Sequence, residues 1–155
     1  KMMDRKNNIW VYSMSTEINI LLIEDSKTDA FVINHRLKTV FPDHNITTVH
    51  RIREAYDKLR KVPFSLIISD LNLPDSMGPK TIEGIRLIDK NTPILALTGF
   101  KTAITEEEAL KLGANEVVSK LKISDNTFIE TIERMLPDDS AEDPDVLYVE
   151  ESMPE

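Results

Sequence analysis

Three runs of branched apolar residues set the limits on what this chain can fold into: INILLI at 18–23, FSLIIS at 64–69 and ILAL at 94–97. Each is too short for a typical helix and too continuously apolar for a strand with one wet face. Runs of this kind are strands buried on both sides, which implies a parallel sheet between two layers of helices. The segments between them agree. After the first run, Ala30, Ile33, Leu37 and Val40 or Phe41 recur at three- and four-residue spacing until Pro42 stops the helix. ITTVH at 46–50 suits a second, more polar strand, and Ala55 and Leu59 share one face of a short helix closed by Pro63. Residues 71–79 hold two prolines and a glycine and read as a loop, before a helix marked by Ile82, Ile85 and Ile88. A helix over 103–112 ends at Gly113, EVVS at 116–119 is the fifth strand, and Phe128, Ile132 and Met135 stripe the last helix. Strand and helix alternate five times without a sequence repeat. This predicts an α/β fold with a five-stranded parallel sheet and helices on both faces.

Charge divides the chain unevenly. Of its 27 acids, eight lie in residues 137–155, which contain no Lys or Arg; the remaining 19 balance 19 bases. The expected organisation is an N-terminal extension over 1–17, a globular domain over 18–136 and an acidic, disordered tail over 137–155. Neither the neutral part nor the acidic part carries the basic stripe of a nucleic-acid binder. No apolar stretch approaches the ~18 residues of a membrane span, and residues 1–15 lack the apolar core of a signal peptide. With no cysteine, disulfides and thiolate metal sites are excluded. A cytoplasmic protein without membrane contact is the expectation.

Chemistry is expected where the strands end. In open parallel sheets, ligands bind beyond the carboxyl ends of the strands, at the topological switch point. Glu24 and Asp25 follow the first strand, Asp70 the third, Thr98 the fourth and Lys120 the fifth. With strand order 2-1-3-4-5 these ends line one edge, and five side chains converge on one crevice. Three neighbouring carboxylates repel one another unless a cation joins them. The donors are all oxygen, which suits Mg²⁺ rather than zinc. A carboxylate can attack phosphorus to give an aspartyl phosphate, and an ammonium and a hydroxyl would then neutralise the added oxygens. Singly, each residue has a plainer reading: solvated loop acids, a turn residue, a surface lysine. Their coincidence at matching strand ends does not.

Four motifs, in order and at matching spacing, carry a family resemblance: LLIEDS at 21–26, SDLNLPDSMG at 69–78, LALTG at 95–99 and LGANEVVSK at 112–120. Over residues 18–136 the sequence closely resembles the receiver domains of response regulators in two-component signalling. The resemblance implies a flavodoxin-like (βα)5 fold of the chemotaxis-regulator type. It implies that Asp70 is the phosphoacceptor and that Glu24, Asp25, Asp70 and the backbone carbonyl of Asn72 hold Mg²⁺. Thr98 and Lys120 would contact the phosphoryl group. The implied partners are a histidine kinase or histidine phosphotransfer protein and a downstream protein, with no direct contact to nucleic acid. Two positions depart from the family pattern. The aromatic switch residue three positions before the lysine is replaced by Val117, and the usual proline after the lysine by Leu121.

Two other functions compete. A phosphatase of the haloacid-dehalogenase type also uses an aspartate nucleophile, but wants an acid two residues later; Asn72 stands there and cannot exchange a proton. A degenerate receiver that only binds partners would have no need of Asp25, Asp70, Thr98 and Lys120 together. The expectation is a signalling module whose chemistry is limited to its own phosphotransfer and dephosphorylation, not an enzyme acting on other molecules.

Overall fold

A computed structural model of the chain describes residues 2–4, 9–12, 17–137 and 147–149. It divides into two compact units, Ile18–Leu136 and the two terminal segments. In the larger unit, five parallel strands form one sheet: β1 (Asn19–Ile23), β2 (Asn45–Val49), β3 (Leu66–Asp70), β4 (Ile94–Thr98) and β5 (Glu116–Ser119). Their order is 2-1-3-4-5, as the sequence pattern predicts. Five helices alternate with them: α1 (Lys27–Val40), α2 (Ile52–Lys61), α3 (Lys80–Ile88), α4 (Ala103–Leu112) and α5 (Asn126–Met135).

The apolar runs work as expected because successive strand residues face opposite sides. Ile20 and Leu22 of β1, Leu66 and Ile68 of β3, and Leu95 and Leu97 of β4 pack with Ile33 and Leu37 of α1 and Phe128 and Ile132 of α5. Leu21, Ile23, Ile67, Ile94 and Ala96 face the other way, onto Ala55 of α2, Ile82 and Ile85 of α3 and Ala109 of α4. β2 is an edge strand and less buried, which explains its threonines. The loop after β3 is more ordered than its prolines suggest: Asn72–Leu73 and Ser76–Met77 pair antiparallel within it.

In the terminal unit, Met2–Asp4 and Leu147–Val149 each pair antiparallel with Ile9–Tyr12. The remaining residues of both terminal segments, most of the acidic tail among them, lie outside the described residues, and so does the expectation of disorder there.

The turn between α4 and β5 is pinned by one side chain. Arg86 of α3 donates to the Gly113 carbonyl from Nε (3.0 Å) and Nη2 (2.9 Å), to the Thr92 carbonyl (2.7 Å) and to Asn115 Oδ1 (3.1 Å). Gly113 itself has φ +124°, and a Cβ there would meet Arg86 Cγ at 2.7 Å. Gly99 has open space around its Cα. Gly113→Ala is therefore expected to destabilise the fold by about 1–3 kcal/mol. Gly99→Ala should stay within about 0.5 kcal/mol of the parent. Urea unfolding of the two variants checks both values.

Candidate functional site

The sheet order sets Glu24, at the end of β1, beside Asp70, the last residue of β3, since these strands pair with Ile23 opposite Ser69. Both carboxylates are buried, Glu24 fully and Asp70 at 2% exposure, while Asp25 next to Glu24 is exposed. One oxygen from each of Glu24, Asp25 and Asp70 lies within 4.8 Å of the others. Lys120, which follows β5, reaches into this group. Its Nζ donates to Asp70 Oδ2 at 2.8 Å and to Asp29 Oδ2 at 3.2 Å, and it touches Glu24 Oε1. Asp70 Oδ1 accepts the backbone N–H of Asn72 at 3.0 Å. Both oxygens of the nucleophile candidate are thus fixed by donors.

Glu24 is less well served. Lys120 Nζ forms an ion pair with Glu24 Oε1, while the buried Glu24 Oε2 has no partner among the described residues. Burial, reinforced by the neighbouring Asp70 carboxylate, pushes the Glu24 carboxyl up to about 8, against the pull of Lys120. Burial acts to lower the Lys120 ammonium, but its bonds to Asp70 and Glu24 more than offset this and raise it. A buried carboxylate oxygen without a partner, beside two more carboxylates, fits a hard divalent cation with oxygen ligands.

The other predicted residues are placed as follows. Asn72 is exposed and lies two residues beyond Asp70, in the short antiparallel pair. Thr98 is buried at the end of β4, and its hydroxyl donates to the Phe100 carbonyl at 3.3 Å rather than to any site carboxylate. Val117 is buried in the core on the α2–α4 side of β5, opposite Ala96. The Lys120–Leu121 bond is trans, Lys120–Lys122 form a single 3₁₀ turn, and Leu121 is 82% exposed.

With this geometry in hand, comparison with known proteins is direct. The family model for the response regulator receiver domain matches residues 20–133. The chain belongs to the response regulator receiver family. It is 32% identical over 103 residues to the cell cycle transcriptional regulator CtrA of Caulobacter vibrioides, a match covering 66% of this chain and 44% of CtrA. It is 28% identical over 102 residues to an uncharacterized transcriptional regulatory protein, YkoG, of Bacillus subtilis, with the same coverage. The chain therefore matches less than half the length of these relatives. Among solved structures, the chemotaxis response regulator CheY4 of Vibrio cholerae superimposes with a TM-score of 0.64 at 27% identity, over 78% of this chain and all of CheY4. The phosphorylated cyanobacterial phytochrome response regulator RcpA gives 0.69 at 25% identity, over 78% of this chain and 94% of RcpA. No helix among the described residues is long and apolar enough to cross a membrane.

Two further acids have long-range roles, Asp29 at the site and Asp75 at the start of α2. Asp29 joins Lys120, as above. Asp75, five residues after Asp70, accepts the backbone N–H of Ile52 (2.9 Å) and of Arg53 (3.2 Å), and so caps α2, whose own N-cap Arg51 supplies no side-chain bond. Asp29 lies in the first turn of α1, and its partner Lys120 is 91 residues away in sequence, so local pattern does not reveal the pair. Asp75 gave no local signal, because its partners lie 22 and 23 residues earlier. Slight burial acts to raise the Asp75 carboxyl, but the two N–H bonds and the Arg53 charge lower it. A carboxyl lowered on folding stabilises above its ordinary pKa and loses that contribution as pH falls through its lowered value. Asp75→Ala should cost about 1 kcal/mol at neutral pH. The difference from the parent should shrink in the acid range below the ordinary carboxylate value, which urea unfolding across pH will reveal.

Proposed function

We propose that this receiver domain accepts a phosphoryl group on Asp70 from a phosphohistidine of a histidine kinase or histidine phosphotransfer protein, and passes the change to a downstream protein. The observation that carries the reading is the Asp70 carboxylate, with Lys120 Nζ 2.8 Å from one oxygen, the Asn72 N–H 3.0 Å from the other, and Glu24 and Asp25 beside it. In the transfer, an Asp70 oxygen bonds to phosphorus while the bond from phosphorus to the histidine nitrogen breaks, and the imidazole keeps the electron pair. Water later attacks the same phosphorus, returning the carboxylate and releasing inorganic phosphate. Mg²⁺ is the proposed cation for Glu24, Asp25, Asp70 and the Asn72 carbonyl, and supplies charge that offsets the phosphoryl oxygens. Lys120 offers an ammonium to those oxygens without leaving its present place.

A protein donor fits the surroundings of the crevice. Phe31, Met77, Phe100, Ile104 and Leu121 are 71–82% exposed, and all lie on segments that follow the carboxyl end of a strand. Exposed apolar side chains suit a macromolecular surface better than a free anion. For the output, Thr98 is the proposed sensor: its hydroxyl would leave the Phe100 carbonyl for a phosphoryl oxygen and draw residues 99–102 with it. Val117 has no ring to swing into vacated space, so the response concentrates in the β4–α4 segment and in the turn after Lys120.

Incubation with Mg²⁺ and acetyl phosphate should add one phosphoryl group, removable by hydroxylamine, as mass spectrometry of the intact chain will show. Asp70→Asn should take up none. Equal uptake by that variant would refute the assignment, and Asp25→Ala should lose most of the uptake while remaining folded.

A further inference from the structure

Asp29 occupies the first turn of α1, where Ser26 Oγ accepts its backbone N–H at 3.2 Å. An acid at this point ordinarily serves its own helix, since helix N-termini favour negative charge. Its side chain goes elsewhere, to Lys120 Nζ at 3.2 Å, 91 residues away in sequence. The ammonium has three N–H bonds, and among the described residues three carboxylates meet it: Glu24, Asp70 and Asp29. The first two side chains are 0% and 3% exposed at the floor of the crevice; that of Asp29 is 33% exposed and approaches from its mouth. The same helix grips the same loop again. Arg36, two turns beyond Asp29, donates to the carbonyls of Ile123 and, at 2.9 Å, of Asp125. One face of α1 thus holds residues 120–125 at both ends.

We infer that Asp29 is a positioning residue for Lys120, keeping the ammonium at Asp70 while its other two partners change. The inference rests on the proposed phosphorylation of Asp70. In that reaction Asp70 becomes an acyl phosphate, and Glu24 turns to a divalent cation. Asp29 belongs to neither event, so it is the partner that stays. A lysine held this way places its charge on the phosphoryl oxygens both when the group arrives and when water removes it. Loss of Asp29 should therefore slow both steps rather than tilt the balance between them.

The test uses the full chain and its Asp29→Ala, Asp29→Asn and Asp29→Glu variants. Phosphorylation by acetyl phosphate with Mg²⁺, and subsequent loss of the group, are followed by mass spectrometry. The Lys120 ammonium signal of the unphosphorylated chain is followed by NMR with ¹⁵N-labelled lysine. Asp29→Ala and Asp29→Asn should slow both rates roughly five- to tenfold and speed exchange of the ammonium protons with water. Asp29→Glu, which keeps the charge, should restore most of each. A merely structural role would move thermal stability and leave the ammonium signal alone. Rates within about twofold of the parent, or an unchanged ammonium signal, overturn the inference. If the parent itself takes up no phosphoryl group, the proposed function fails separately, and the ammonium signal still decides the role of Asp29.

Discussion

Two carboxylates buried at the ends of neighbouring parallel strands repel each other unless a cation lies between them, and the rest of this molecule is arranged around that constraint. Glu24 and Asp70 are brought together by the pairing of β1 with β3. Water, which would otherwise screen them, is kept out by the strands that bury them. The nearest positive charge comes from the far side of the sheet. Lys120 follows β5, two strand spacings from β3, a distance of about 10 Å. Only a long side chain crosses that gap, and it must pass the end of β4, which finishes in the small residues Thr98 and Gly99. Strand order, the length of the lysine and the slightness of the β4 terminus are one solution to one electrostatic problem. The ammonium answers it incompletely, since Glu24 Oε2 stays buried without a partner among the described residues, a place a divalent ion fits.

The fold was legible because burial on both faces demands runs of apolar residues that no other architecture needs. INILLI, FSLIIS and ILAL mark the three central strands directly. The edge strands were legible by their context between helices, as their polar composition alone is ambiguous. Within the site, the acids and the lysine could be placed because each directly follows a strand, and the strand order then decides what is adjacent. Contacts that depend on where a long side chain turns were not legible. Asp29 sits in the first turn of α1 and pairs with a lysine from the far end of the domain. Asp75 reads as a loop acid and caps a helix that precedes it in the chain. The Thr98 hydroxyl bonds locally to Phe100, a choice among several acceptors that no sequence pattern records.

The two departures from the family pattern are both absorbed by the structure around them. Val117 takes its place in the core beside Ala96. After Lys120, where proline would fix the chain, a trans peptide leads into a 3₁₀ turn that α1 holds through Arg36. Side chains of α1 meet this segment at both ends, Asp29 at Lys120 and Arg36 at the Asp125 carbonyl.

The central claim is that Asp70, Lys120 and Thr98 form one phosphoryl site. A crystal structure with Mg²⁺ and beryllofluoride, which mimics a phosphoryl group on a carboxylate, tests it most directly. Beryllium should be bonded to an Asp70 oxygen, with Lys120 Nζ and the Thr98 hydroxyl each donating to a fluoride and Thr98 released from the Phe100 carbonyl. Beryllofluoride bound at another carboxylate, or bound at Asp70 with Lys120 turned away to solvent, would contradict it.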